Sequence, residues 1–309
     1  MDIRPLRYFV TIAELGSFSA ASRHLNVAQT ALSRHVKALE ADLATTLFVR
    51  TPRGITMTEP GERLLHYGLS ILRQIELVPS VVQAPDRPVT GRVSIGLPTS
   101  ASAILSAPLL ARAMQHFPGV RVHLTESLSG YLEEWVQSNR LDLAILFDAE
   151  LSPNLRLTNM LVEDLCIVGP ADAFPKSART VDFHRLQRYP LVLPGVPHSL
   201  RRLLETMARS HGIRLNVMYE VDSLTVTKHM TRAGSAFSIL SEGAVHEEIA
   251  ARQLRALKIV APTVSRSVSL AICALPGRTP ACEQIGKLTL DLTRDLLKSG
   301  VWKASSQFP

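Results

Sequence analysis

The chain has 309 residues, 46% apolar and 20% charged, a balance that fits a globular protein and excludes a disordered or fibrous one. A formal net charge of +7 agrees with an anionic partner such as nucleic acid, although charge alone is a weak guide. The three cysteines, Cys166, Cys273 and Cys282, are far apart with no CxxC pair, no secretory or membrane-length apolar run is present, and a cytoplasmic protein without a metal or other cofactor is expected.

In chain order, Leu6, Phe9, Val10 and Ala13 form an i, i+3, i+4, i+7 stripe, which predicts a first helix ending near Gly16. Next comes "SFSAASRHLNVAQTALSRHVKALE", Ser17 to Glu40. Its apolar positions Ala20, Ala21 and Leu25, then Val27, Leu32, Val36 and Leu39, predict two short helices. Asn26 stands at the corner, where a left-handed residue is needed. The second helix presents Gln29, Thr30, Ser33, Arg34 and Lys37, a polar and basic face with no acid before Glu40. "LFVRTPRGITMT" then reads as a hairpin with a basic tip at Arg53.

Helix, tight turn, helix and hairpin make a winged helix-turn-helix, so residues 1–58 are predicted to bind double-stranded DNA. Gln29, Thr30, Ser33 and Arg34 suit base edges in the major groove, Lys37 and Arg23 suit phosphates, and Arg53 suits the minor groove. The bland alternative is a helical hairpin with a solvated polar face.

Residues 59–90 read as a linker helix and a proline-rich connector. Thr58 can cap the helix and Pro60 suits its first turn. Leu65, Leu72, Ile75 and Val82 suggest a packing seam for a second chain, and Pro79 is expected to kink or end the helix early. From Arg92 onward, strand-like runs such as "RVSIGL", "VRVHLTE", "LDLAIL", "DLCIVG" and "VSLAICA" alternate with helical ones. This α/β pattern predicts two Rossmann-like lobes within residues 91–309.

That half lacks the motifs of an enzyme: no G-x-S-x-G elbow, G-x-G-x-x-G, Walker A or H-E-x-x-H. Its histidines are scattered, and Asp142 and Asp148 read as turn and cap residues. A sensor has better support. In "SIGLPTSAS" a strand runs into a helix start, where Thr99, Ser100, Ala101 and Ser102 suit a carboxylate without a buried cation. Simple capping by Ser100 or Ser102 is the competing reading. Phe147 can supply an apolar wall. A third reading is an interaction module that binds no ligand.

The stretch "LRYFVTIAELGSFSAASRHLNVAQTALSRHVKALEADLATTLFVRTPRGITMTEPG" resembles the LysR-type transcriptional regulators, and looser similarity extends to about residue 295. "SGYLEEW" is similar to the branch that includes the nitrogen assimilation control proteins. Three positions depart from the family habit: Ala28 where Ser or Thr is usual, Thr30 where Pro is usual, and Ala44 where Gly is usual. Losing the cap at Ala28 costs about 1 kcal/mol.

The resemblance implies a periplasmic-binding-protein-like effector domain with lobe one at about 91–162 and 266–300 and lobe two at about 163–265. It also implies self-association as a dimer or dimer of dimers, with RNA polymerase as a further candidate partner. Across the cleft from the helix start, it places "LPGVP", with Pro194 and Gly195, and "VDS", with Val221 and Asp222. Together these readings predict a DNA-binding transcriptional regulator, not an enzyme, governed by a small carboxylate effector.

Overall fold

The computed structural model describes residues 2–51, 54–82, 88–196, 198–274 and 279–308. The chain divides into two compact units, the first built on residues 1–85 and the second on residues 86–137 and 141–309.

The first unit begins with α1 (Ile3–Leu15), α2 (Phe18–Leu25) and α3 (Gln29–Asp42). Gly16 and Asn26 end α1 and α2 in the left-handed conformation, with φ of 62° and 53°. The core gathers Leu6, Phe9, Val10, Ala21, Leu32, Val36 and Leu39. These include the stripes read from the sequence. Strands β1 (Phe48–Thr51) and β2 (Gly54–Met57) pair antiparallel as the wing. Its tip, Pro52 and Arg53, lies outside the described residues.

Helix α4 (Glu59–Val82) follows, with Thr58 Oγ1 accepting from the Gly61 N–H at 3.1 Å. A Cβ on Gly61 would come within 2.3 Å of the Leu47 carbonyl oxygen, so only glycine fits this approach to the wing. Two expectations for α4 need correction. The helix continues past Pro79 to Val82, with no early end. The supposed intermolecular seam is also partly spent inside the unit. Leu72 is buried in its core and Leu65 is half-buried against it, because this face packs on α1. Ile75 is exposed, and the Val82 side chain lies outside the described residues. A different stripe, Tyr67, Ile71, Ile75 and Val78, faces outward along α4.

The second unit starts with β3 (Gly91–Leu97), α5 (Thr99–His116), β4 (Val120–Glu126), α6 (Ser129–Gln137) and β5 (Leu143–Phe147). It continues with β6 (Leu155–Pro170), β7 (Thr180–Asp182), β8 (Leu191–Leu193), α7 (Ser199–Ser210), β9 (Val217–Glu220) and α8 (Leu224–Arg232). Last come β10 (Phe237–Ser241), α9 (His246–Ala250), β11 (Leu254–Val260), β12 (Ser265–Cys273), α10 (Pro280–Lys298) and β13 (Ser305–Ser306).

The strands form one path, β4-β3-β5-β12-β6-β10-β8-β9, with β11 also on β6. Strand β6 serves two lobes. Up to Asp164 it pairs with β12, and from Leu165 onward it pairs with β10 and β11. Parallel pairs β3–β4, β3–β5 and β8–β9 sit beside antiparallel ones, so each lobe is a mixed sheet rather than a purely parallel one. One apolar core lies around β3, β5 and α5, with Ile95, Leu105, Leu109 and Ile145. Another lies around β8, α7 and β11, with Leu191, Leu204 and Ile259. The strand ends of both lobes therefore meet near the crossover of β6, where an α/β fold places its ligand crevice.

Candidate functional site

Two surfaces carry chemistry. The first is the outward face of α3. Gln29, Thr30, Arg34 and Lys37 are exposed on it, Ser33 is half-buried, and Arg23 is exposed at the end of α2. Among the described residues none of Arg23, Arg34 and Lys37 is ion-paired, so their charges face solvent uncompensated. The Gln29 side chain accepts a hydrogen bond from Ser19 Oγ at 3.1 Å, which ties the start of α3 to α2. Glu40, the first acid on α3, is turned to a structural task. Its Oε1 accepts the N–H groups of Leu47 and Phe48 at 2.7 and 3.3 Å, so it fixes the wing and leaves the basic face free of acids.

Both family departures that flank α3 have visible consequences. Ala28 occupies the N-cap with no side-chain hydrogen bond. Ala44 lies in the left-handed region at φ 49°, directly after the helix. The Ala44 N–H meets the Ala41 carbonyl and the Thr45 N–H meets the Glu40 carbonyl, which is the Schellman arrangement that favours glycine.

The second surface is an open cleft of about 500 Å³ in the second unit. Five of the nine sequence-predicted effector residues line it: Thr99, Ser100, Pro194, Val221 and Asp222. The other four do not. Ala101 and Ser102 are buried behind the helix start, and Ser102 Oγ donates to Glu126 at 2.5 Å. Gly195 donates its N–H to Asp222 Oδ1 at 2.9 Å and so orients that carboxylate. Phe147 is buried with its ring 3.5 Å from the Arg266 guanidinium carbon, where it shapes the cation rather than the wall.

The capping reading of the helix start does not hold. Pro98 precedes α5 and offers no side-chain cap, and neither Ser100 nor Ser102 caps the helix. Ser100 Oγ instead accepts from Arg266 Nη2 at 3.0 Å.

Arg266 is the residue that sequence reasoning missed, and it overturns the expectation of an anion site without a buried cation. It stands on β12 opposite Glu163 on β6. The two side chains are 4% and 1% exposed and are joined through Arg266 Nε and Nη2 to Glu163 Oε1 at 2.7 and 2.6 Å. The other carboxylate oxygen accepts from Trp302 Nε1 at 2.8 Å. A hydrogen-bonded chain thus runs from the cleft wall at Ser100 through Arg266 and Glu163 to the C-terminal segment. The available signal was a lone arginine in the alternating strand "VSRSVSLAIC", with a buried acid in "LVEDL".

His198 also lines the cleft. Burial, and then the nearby positive charge of Arg266, hold its imidazole below the ordinary value, with Asp222 acting in opposition. Its Nδ1 accepts the Leu200 N–H at 3.2 Å, as a neutral ring can. Leu200, Leu224, Leu240, Val192, Ile239 and Thr227 complete the lining. Away from the cleft, burial, with Glu242 and Asp164 nearby, pushes the Cys166 thiol up to about 12, so it keeps its proton.

Residues 3–62 match the bacterial regulatory helix-turn-helix family of lysR type, and residues 86–291 match the LysR substrate binding domain. The chain belongs to the LysR family. The regulator is 30% identical to the nitrogen assimilation regulatory protein nac of Klebsiella aerogenes over 293 residues, covering 94% of this chain and 95% of that one. It is 32% identical to the transcriptional regulator BbuR of Bordetella bronchiseptica over 254 residues, 82% of this chain and 78% of that one. Its fold is that of a full-length OxyR variant from Pseudomonas aeruginosa, with a TM-score of 0.77 at 22% identity, covering 100% and 99% of the two chains. CbnR in complex with its target DNA is similar in fold, at a TM-score of 0.66 and 22% identity, covering 95% and 100%. The regulator is a DNA-binding transcriptional regulator with an effector-binding domain, not an enzyme. Among the described residues, no helix is long and apolar enough to cross a membrane.

Proposed function

We propose that this regulator reads DNA through α3 and answers to a small carboxylate bound in the cleft of the second unit. On the DNA side, Arg34 and Gln29 meet base edges, Thr30 and Ser33 assist them, and Arg23 and Lys37 meet phosphates, with Arg53 at the wing. The acid-free exposed face of α3 supports this assignment.

For the effector, the observation that carries the reading is the Arg266 guanidinium hydrogen-bonded to Ser100 at the edge of the cleft. A buried guanidinium beside a helix start with no side-chain cap is a strong environment for a carboxylate. Thr99 and Ser100 supply the hydroxyls, and Pro194, Val221 and Asp222 face them from the other lobe. A second copy of the chain covers the Tyr67, Ile71, Ile75 and Val78 stripe of α4, and two DNA half-sites are then read together.

Calorimetry with a panel of carboxylic acids and their neutral amides tests the effector reading. Acids bind and amides do not, and Ser100→Ala weakens the acids without changing ligand-free DNA affinity. Equal binding of acids and amides, unmoved by that substitution, refutes it. In gel shifts, Arg34→Ala loses roughly 1–3 kcal/mol of specific affinity, and retention of full affinity removes Arg34 from the recognition role.

A further inference from the structure

The cleft holds more charge than a simple carboxylate can use. Arg266 already has a counter-ion in Glu163. Asp222 has none: it is solvent-exposed, among the described residues no cation pairs with it, and its Oδ1 accepts the Gly195 N–H. His198, which lines the same cleft, does not neutralise it, because burial and Arg266 favour the uncharged ring. The cleft therefore carries an oriented, unpaired carboxylate on one lobe and a guanidinium with spare N–H donors on the other.

We propose that the effector is an amino-acid-like zwitterion, its carboxylate held by Arg266, Ser100 and the start of α5 and its ammonium group held by Asp222. This inference rests on the carboxylate reading above and adds the second charge to it. Asp222 is hydrated without a ligand, but a plain carboxylate would bring a second negative charge into the cleft that it lines. A zwitterion offers an opposite charge to each end and leaves the net charge unchanged.

The remaining lining fits the body of such a molecule. Val192, Leu200, Val221, Leu224 and Leu240 are apolar, and they offer a hydrocarbon side chain an apolar wall within the open cleft. The two polar ends also belong to different lobes. Ser100 and Arg266 are on α5 and β12, and Asp222 follows β9. A ligand charged at both ends therefore bridges the lobes, and this differential contact is what a conformational switch requires.

Calorimetry on the full-length protein tests the inference with the twenty proteinogenic amino acids. For every one of the twenty, the matched acid lacking the amine and the matched amide are also titrated. We expect at least one amino acid to bind, and removal of its amine to weaken it by roughly 10- to 100-fold, the value of a hydrogen bond to a charged group. Asp222→Asn keeps an acceptor for the Gly195 N–H. It should weaken the amino acid by a similar factor while the amine-free acid binds as well as before or better. A merely structural role for Asp222 would weaken both probes together, and circular dichroism confirms that the variant folds.

Four results overturn the proposal. If no amino acid binds while amine-free acids do, or if the two bind equally and Asp222→Asn changes neither, the zwitterion is wrong and the carboxylate reading survives. If amides bind as tightly as acids, both readings fall. If Asp222→Asn weakens acid and amino acid alike, Asp222 is a structural residue and the ammonium contact is rejected.

Discussion

Replacing Glu163 by methionine should destabilise the second unit more than any surface change. Glu163 and Arg266 are almost fully buried, and each is the other's charge partner. Removing the acid strands a guanidinium among apolar side chains, which typically costs about 3–5 kcal/mol. Part of that loss is the Trp302 indole N–H left without its acceptor, by itself about 1–3 kcal/mol. For a domain of this size, the total corresponds to a fall in melting temperature of roughly 6–20 °C. Replacing both partners, Glu163→Met with Arg266→Met, should recover most of the loss, because no buried charge then remains.

Both tryptophans, Trp135 and Trp302, belong to the second unit, so intrinsic fluorescence in a urea titration follows that unit alone. A double-mutant cycle isolates the coupling between the two partners. A loss of less than about 1 kcal/mol for Glu163→Met, the level of an exposed ion pair, would refute the argument. A double variant as unstable as the sum of the two singles would refute it too.

Three further outcomes are expected. Ala44→Gly relieves a left-handed alanine at a Schellman turn and should stabilise the first unit by about 0.5–1 kcal/mol after the glycine entropy cost, read as a higher urea midpoint; an unchanged midpoint removes the strain argument. Ile71→Asp on the exposed stripe of α4 should yield smaller oligomers in sedimentation velocity, since each side chain buried there contributes up to roughly 1.5–3 kcal/mol; a wild-type profile would place the contact elsewhere. His198 titrates lower in the folded than in the unfolded chain. The unfolded state therefore takes up this proton first, and stability is full above the ordinary histidine value and lost as pH falls through it. The melting temperature of wild type should drop more between pH 7.5 and 5.5 than that of His198→Asn, and parallel drops would exclude His198.

What the sequence made legible divides by the distance over which a signal acts. Leu32, Val36 and Leu39 recur at helical spacing, so α3 and its polar face are written within a dozen residues. Asn26 marks its own corner through a local preference, and its φ of 53° is the one that preference serves. Longer-range features were hidden or misassigned. A spacing of seven along α4 identified an apolar stripe but not its partner, and Leu72 turned out to pack on α1 in the same chain. Helix α10 was not read from the sequence, although Thr279 and Pro280 signal its start.

Arg266 is the instructive case. Its partner Glu163 is 103 residues away and its hydrogen-bond acceptor Ser100 is 166 away, so nothing near it in the chain hints at either contact. Hydroxyls at a helix start can be recognised from local sequence, and Thr99 and Ser100 do line a cleft, but nothing local announces the cation beside them. The guanidinium at the cleft edge takes its place only when β6 and β12 pair in their observed register. A one-residue slip of that register would turn Arg266 to the other face of the sheet and remove the cation from the cleft. The chemistry of the site is thus a consequence of strand pairing, and for that reason Glu163, which does not line the cleft, should govern both its stability and its affinity for anions.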